Sequence, residues 1–195
     1  MKLAIFDFDN TITRQDSLID FIYHAIGPVR FLSSSIYLSP LLIGHQLGLI
    51  SSARTKEIVL SHFFKDWKQD KLNSIASRYS RDILPLIVRA SALQKLHWHQ
   101  SQNHKIVIVS ASLEIYLMDW CQSINAELLA TGLDFKEGRF TGKLSTPNCK
   151  GPEKLRRIQE HYDLKAFEYI YAYGDSPSDL VQKNIANEFH YRSFQ

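Results

Sequence analysis

The chain has 195 residues, enough for one main domain with a smaller inserted one and for a sizeable core. Its formal net charge is only +3 and no basic run is interleaved with aromatic residues, so we expect a small anionic ligand and no nucleic acid. The two cysteines, Cys121 and Cys149, form neither a CxxC pair nor a disulfide framework, which favours a reducing, cytoplasmic location.

The first predicted strand ends in two acids. The run KLAIFDF is apolar on both faces, which is typical of a strand covered by helices on each side, and Asp7 and Asp9 stand at its end. Side chains two residues apart in extended backbone leave on the same side, so the two carboxylates should share one small space. That arrangement costs free energy unless a cation or a proton neutralises it.

Residues 14–88 are predicted to be mostly helical, with prolines as breakers between the helices. They are far too many for one crossover between neighbouring strands. We therefore interpret them as a helical cap domain inserted after the first strand, and residues 1–13 and 89–195 as the core domain.

One segment of the insertion, residues 31–50, contains no Asp, Glu, Lys or Arg. Its length alone would suffice to span a bilayer. Because serines, glycines and Pro40 dilute it, we predict a buried or surface-lying helix instead of a span. Contact with a membrane surface through this segment stays open.

Strands and helices alternate after the insertion. The runs HKIVIVSAS and FEYIYAYGD are predicted strands; one helix is predicted to begin after Ser112 as its N-cap, and another has Pro152 in its first turn. The run LDFKEGRFTGKL is predicted to be a hairpin with Gly138 at its turn. The pattern predicts an α/β fold, a Rossmann-like three-layer sandwich with a mostly parallel sheet.

Polar groups follow the predicted strands at the edge where ligands bind in open parallel sheets. These groups are Asp7, Asp9, Ser110 and Asp175, and Lys150 lies just before a helix whose N-terminal amides favour anions. Clustered carboxylates without a Cys or His set suit a hard, oxygen-loving ion such as Mg²⁺, and Mg²⁺ sites in turn suit phosphate substrates. The sequence therefore predicts a magnesium and phosphate site at this edge.

Four motifs in this order, DFDNT, VIVSAS, NCKGPEK and YGDSPSD, resemble those of the haloacid dehalogenase-like superfamily, specifically its phosphoserine-phosphatase-like branch. The resemblance implies that Asp7 is a nucleophile that forms an aspartyl-phosphate. It also implies that Asp9 protonates the leaving oxygen, then activates water, and places its backbone carbonyl on Mg²⁺. Asn10 departs from the Gly or Ser that is commoner at this position of the family.

The same resemblance implies the binding groups. Thr11 would stabilise the loop after the first strand and contact the phosphate region. Ser110 would donate a hydrogen bond to a phosphoryl oxygen. Lys150 would neutralise the phosphoryl group and Asp7. Asp175 would ligate the metal together with the carboxylate of Asp7 and the carbonyl of Asp9, and Asp179 would be a further ligand or a supporting acid.

Several residues allow a structural interpretation beside the functional one. Asp179 has capping-box spacing from Ser176, so it is either a metal ligand, a cap or both. Asp16 stands where phosphoserine phosphatases carry a Glu that meets the substrate's amino group, but it also precedes an apolar helical run as an N-cap would. We expect His97 and His99 to be surface residues near Trp98 and not a metal pair.

The preferred prediction is a Mg²⁺-dependent phosphatase whose substrate is a small organic phosphate monoester, such as a phosphoserine-like metabolite. Three alternatives stay open. The chain could hydrolyse a lipid phosphate, as the phosphatidylglycerophosphatases of this branch do, or it could transfer the phosphoryl group to an acceptor other than water. It could also be a non-catalytic module that binds phosphate or docks on a membrane through residues 31–50. The sequence leaves the oligomeric state open.

Overall fold

The computed structural model describes residues 1–195 and contains a five-stranded, fully parallel sheet. Its strands in spatial order are β3 (Glu127–Thr131), β2 (Lys105–Leu113), β1 (Lys2–Phe6), β6 (Tyr169–Gly174) and β7 (Glu188–Tyr191). The first strand is therefore central, with Phe6 level with Ile108 on one side and Tyr173 on the other. The predicted α/β fold with a mostly parallel sheet is confirmed.

Helices cover both faces of the sheet, as the two-sided apolar strands require. They are α6 (Ala90–Ser101), α7 (Glu114–Ser123) and α8 (Pro152–His161). Along β1 the side chains alternate, so that Ala4 and Phe6 join one buried cluster while Leu3 and Ile5 join another. These two clusters fix the strand register, because a one-residue slip would exchange the two faces.

The segment between β1 and α6 is helical, as predicted. It contains α1 (Ser17–Ile26), α2 (Pro28–Gln46), α3 (Ser52–Phe64), α4 (Gln69–Asp82) and the short α5 (Leu84–Ile87). Aromatic packing joins it to the sheet-covering helices, with Phe21 of α1 4.9 Å from Tyr116 of α7 between ring centroids. The division into a cap domain and a core domain stays a prediction.

The predicted hairpin consists of β4 (Leu133–Lys136) and β5 (Arg139–Leu144), which pair antiparallel. Its two turn residues, Glu137 and Gly138, both have positive φ, 51° and 70°. A two-residue hairpin turn of this hand needs such values, and Gly adopts them without strain. The hairpin packs against the insertion, since the amide of Asp66 donates to the carbonyl of Phe140 at 2.9 Å.

His99 corrects one expectation. We expected a surface residue, but its side chain is fully buried beneath α6, while His97 and Trp98 are exposed. Its Nδ1 lies 2.8 Å from Nδ1 of His104, and its Nε2 lies 2.9 Å from the hydroxyl of Tyr173. The two histidines of the LHWHQ run leave the helix in different directions, which is why only one reaches the core.

The uncharged segment is helical over most of its length, within α2. Assessed by length and hydropathy together, no helix of the structure qualifies as a membrane span.

Candidate active site

A cavity of about 430 Å³ lies outside the carboxyl ends of the central strands. Its floor contains the predicted polar groups, and its walls come from α1, α2 and α3 of the insertion. Among its lining residues are Asp7, Asp9, Asp16, Ser110 and Asp175. The strand ends therefore converge as the sequence predicted.

Asp7 is held at the end of β1 by the sheet itself. Its amide donates to the carbonyl of Tyr173 at 2.9 Å, which continues the pairing with β6 by one residue. The carboxylate is almost completely buried and accepts a hydrogen bond of 2.9 Å from the hydroxyl of Thr11. Thr11 thus orients Asp7, and it also reaches Asp175 at 3.3 Å.

The lysine that contacts Asp7 is Lys154 and not Lys150, while the role of Lys150 toward the phosphoryl group stays a prediction. The ammonium of Lys154 donates to Asp7 and, at 2.6 Å, to Asp179, and its side chain is 2% exposed. Lys150 lies before α8, is exposed and lines the cavity without contacting an acid. Lys154 is on the first turn of α8, and that turn directs its side chain inward beneath the strand ends.

Asp175 and Asp179 follow β6 on a tight loop. One carboxylate oxygen from each of Asp7, Asp175 and Asp179 can be chosen so that all three lie within 4.8 Å of one another. The close approach requires glycine at position 174, because a Cβ there would lie 2.4 Å from Cβ of Asp179. The acids of two motifs distant in sequence, DFDNT and YGDSPSD, thus meet in one small volume.

Asp179 also has the structural role that its spacing indicated. Its carboxylate accepts from the amide of Ser176 at 3.0 Å and from the Ser176 hydroxyl at 2.6 Å, which is a capping box at the start of the 3₁₀ helix Pro177–Asn184. The same carboxylate accepts from Lys154. A cap and an acid of the cluster therefore coexist in one side chain.

Asp9 is not part of this cluster of three acids, and its carboxylate contacts the insertion. Its carboxylate accepts from the amide of Ser17 at 2.8 Å and from the hydroxyl of Ser112. Ser112 was predicted to cap the next helix, but β2 continues to Leu113 and that helix begins at Glu114 without a side-chain cap. The serine instead holds the carboxylate of Asp9 in place.

Burial raises the pKa values of Asp7 and Asp9. It raises the pKa of Asp9 to about 6, with the charge of Asp16 adding to the effect and the two serine hydrogen bonds opposing it. It raises the pKa of Asp7 to about 7, against the attraction of the Lys154 ammonium. Burial would raise the pKa of Asp179, but attraction to Lys154 lowers it; burial would lower the pKa of Lys154, but attraction to Asp7 and Asp179 raises it.

Two further predicted residues, Ser110 and Asp16, line the cavity, and so does Asn10. Ser110 is fully buried, and its hydroxyl oxygen accepts from the amide of Ser112 at 3.0 Å. Asp16 caps α1 by accepting from the amides of Leu18 and Ile19 at 2.9 and 3.0 Å, while lining the cavity. Asn10 adopts φ of 60°, a left-handed value that Asn tolerates better than most residues, so Asn is compatible with this position.

Lys56 is a cavity residue that the sequence analysis missed. It extends from α3 and donates to the carbonyl of Ala111 at 2.5 Å and to the side chain of Asn148 at 2.8 Å, so that it bridges the insertion and the sheet. Burial lowers its pKa to about 8. A lysine within an ordinary helical run carries no motif, so only the three-dimensional packing identifies it.

The donor set suits a hard divalent cation. Asp7, Asp175 and Asp179 bring three carboxylates together, and the only ammonium group among them belongs to Lys154. This leaves an excess of negative charge, and all the available ligand atoms are oxygens, which Mg²⁺ prefers over softer ions.

The comparisons with known proteins agree with this geometry. The family model described as haloacid dehalogenase-like hydrolase matches residues 4–181. The chain therefore belongs to the haloacid dehalogenase-like hydrolases, and the predicted family is confirmed.

Relatives and a solved structure extend the comparison. Protein CicA of Caulobacter vibrioides is 29% identical over 99% of this chain and 86% of its own length. The probable phosphatase Rv3661 of Mycobacterium tuberculosis is 28% identical over 91% of this chain and 63% of its own. A substrate-bound phosphoserine phosphatase superposes with a TM-score of 0.70 at 16% identity, covering 97% of this chain and 85% of that one. The fold is thus that of the phosphoserine-phosphatase-like branch.

Proposed function

We propose that the chain is a Mg²⁺-dependent phosphatase that hydrolyses a phosphate monoester through an aspartyl-phosphate on Asp7. The observation that carries the proposal is the different surroundings of two acids. Asp7 is buried and paired with Lys154, whereas Asp9 accepts hydrogen bonds from two serines. A nucleophile and a general acid need different environments, and these two carboxylates have them.

The first displacement uses both acids. A carboxylate oxygen of Asp7 attacks phosphorus, the bond from phosphorus to the ester oxygen breaks, and protonated Asp9 gives its proton to the departing oxygen. Burial raises the pKa of Asp9 above its usual range, which favours the protonated form that this step needs. Lys154 and Ser110 offset the repulsion between a carboxylate and a dianionic phosphate.

The second displacement returns the enzyme to its starting state. Asp9, now ionised, takes a proton from water, the water oxygen forms a bond to phosphorus, and Asp7 leaves as a carboxylate with release of inorganic phosphate. The hydrogen bonds from Ser17 and Ser112 keep Asp9 in one position for both steps.

Mg²⁺ would be held by the carboxylates of Asp7, Asp175 and Asp179, with the backbone carbonyl of Asp9 as the further ligand that the family pattern implies. When bound, it supplies positive charge against the phosphoryl oxygens and the attacking carboxylate.

A small organic phosphate, such as a phosphoserine-like metabolite, is the preferred substrate class. Asp16 and Lys56 both line the cavity, so they offer one acidic and one basic side chain to the polar part of such a molecule. A second candidate is a lipid phosphate. The observation that favours it is the apolar upper wall, which includes Ile22, Phe31 and Leu38. The name of one relative, the probable phosphatase Rv3661, supports the reaction class and leaves the substrate open.

Hydrolysis of p-nitrophenyl phosphate with Mg²⁺ tests the proposal. We expect turnover by the wild type, loss to background in excess EDTA and in Asp7→Asn, and full activity in the matched control Asp82→Asn, whose acid is exposed. Unchanged activity of Asp7→Asn would contradict the mechanism, and no turnover by the wild type would favour a phosphate-binding module. Products formed with an added alcohol distinguish a phosphotransferase.

A further inference from the structure

Helix α2 presents an apolar stripe to solvent. Its members recur every three or four residues, apart from one seven-residue interval that contains the exposed Pro40, and each side chain is 55–83% exposed. We name this set the outer stripe, and it consists of Val29, Leu32, Ile36, Ile43 and Leu47. The spacing places the first four on one face of the helix. Leu47, which directly follows the helix, continues the same face.

The opposite face of α2 already has its partners. Ser34 and Leu38 are buried there, and the imidazole of His62 on α3 contacts the Ser34 hydroxyl at 2.9 Å. The helix is therefore apolar outward as well as inward. Monomeric proteins rarely expose large apolar patches without a function.

Three serines of α2 form hydrogen bonds with their own helix. The hydroxyls of Ser33, Ser35 and Ser39 donate to the carbonyls of Arg30, Phe31 and Ile36 at 3.1, 2.8 and 2.8 Å. They therefore present no free donor to a neighbouring molecule. Protein interfaces usually have a polar rim with hydrogen bonds across it, whereas a hydrocarbon environment requires polar groups to be satisfied internally.

The same helix forms part of the wall of the active-site cavity. Phe31, Leu38 and Leu42 line that cavity, so one helix faces the site on one side and solvent on the other. No formal charge lies between positions 31 and 50 to oppose contact with lipid, and Arg30 at the helix start could meet anionic headgroups. The exposed ring of Tyr37 beside the stripe suits the headgroup level, where tyrosine is enriched.

From these observations we propose that the outer stripe of α2 binds the surface of a lipid bilayer, with the helix lying in the interfacial plane. Binding in this way scales with the apolar area that enters the boundary between headgroups and acyl chains. The proposal is independent of the phosphatase chemistry, because neither the stripe nor the bilayer takes part in a bond-breaking step. An inactive Asp7→Asn variant should bind vesicles as the wild type does.

Flotation with vesicles tests the proposal. The probes are vesicles of phosphatidylcholine alone and of equal parts phosphatidylcholine and phosphatidylglycerol. The test variant is Ile36→Asn and the matched control is Leu86→Asn, since these side chains are 70% and 72% exposed and Leu86 lies on α5, outside the stripe. Neither residue lines the cavity, so turnover of an aryl phosphate and melting temperature report that each variant is folded.

We expect the wild type and Leu86→Asn to float with the mixed vesicles at low and high salt. Ile36→Asn should weaken partitioning by about tenfold, and adding Ile43→Asn should weaken it further, because each substitution removes aliphatic area from the bilayer. Equal flotation of the wild type and the double variant would overturn the proposal, as would no flotation of the wild type. Sedimentation velocity gives a further test. A wild-type dimer that the Ile36→Asn substitution dissociates would also contradict the proposal, because the stripe would then bind a second copy of the chain.

Discussion

The ammonium of Lys154 lies against the carboxylate of Asp7, and both residues are almost completely buried, at 2% and 6% exposure. Asp7 comes from the end of the central strand, while Lys154 comes from α8, which begins almost 150 residues later in the chain. Folding thus places a positive charge beside the proposed nucleophile. Removing that charge should affect the reaction more than any substitution at the rim of the cavity.

The first prediction compares the two lysines of the NCKGPEK motif. Lys154→Arg keeps the charge but changes its geometry, whereas Lys154→Met removes the charge. We expect Lys154→Met to lower kcat/KM for an aryl phosphate by about 10²–10³. Lys150→Met should lower kcat/KM much less, because Lys150 contacts no acid. Melting temperatures must accompany the rates, since an unpaired buried acid destabilises the fold. The reverse ranking of the two lysines would restore the assignment based on the family motif.

The second prediction concerns Asp9. Asp9→Asn can still accept the hydrogen bond from the amide of Ser17, so the loop should keep its shape. Loss of the general acid should lower kcat by about 10²–10⁴ for an alkyl phosphate and by less for an aryl phosphate, whose leaving group needs no proton. A series of substrates with graded leaving-group pKa measures the difference. Equal losses across the series would mean that Asp9 only supports the loop.

The third prediction separates two roles of Asp16. Asp16→Ala removes both hydrogen bonds to the start of α1 and should lower the free energy of unfolding by about 1 kcal/mol, whereas Asp16→Asn keeps the cap. If Asp16 also selects the substrate, both variants should change the ranking of kcat/KM between monoesters with and without an ammonium group. An unchanged ranking in both would leave Asp16 a cap alone.

The fourth prediction follows from the buried His99. Burial, together with the charges of His104, Lys95 and His190, lowers its pKa from 6.5 to about 3. The unfolded chain therefore binds a proton that the folded chain does not, and stability should fall as the pH drops below about 6.5 and continue to fall toward 3. Between pH 7 and pH 5 the loss from this group is about 2 kcal/mol. Urea unfolding at both pH values measures it, with the exposed His97→Gln as control; a loss at pH 5 that is unchanged in His99→Gln would contradict the assignment.

Much of this architecture could be predicted because it follows local rules. The three apolar strands, the helices of the insertion and the hairpin around Gly138 each have a periodicity or turn chemistry that is visible within a dozen residues. The edge strands β3 and β7 escaped prediction, since their half-exposed residues lack the continuous apolar run of a central strand.

The candidate site was harder to predict where two nearby residues compete for one role. Lys150 and Lys154 lie four residues apart, one before α8 and one on it, and only the packing of α8 decides which of them enters the core. Ser112 is the last residue of the predicted strand HKIVIVSAS and a good N-cap, whereas β2 continues one residue further, to Leu113. Contacts such as those of Lys56 arise from tertiary packing and have no signal in local sequence.

The measurement that most directly tests the central claim is chemical capture of the covalent intermediate. Wild-type enzyme turning over a phosphate monoester with Mg²⁺ is quenched and treated with borohydride, which reduces an aspartyl-phosphate to homoserine, and the peptides are sequenced by mass spectrometry. The account predicts homoserine at Asp7, dependent on substrate and absent from Asp9 and Asp175. Homoserine at another acid, or none at Asp7 during active turnover, would contradict it.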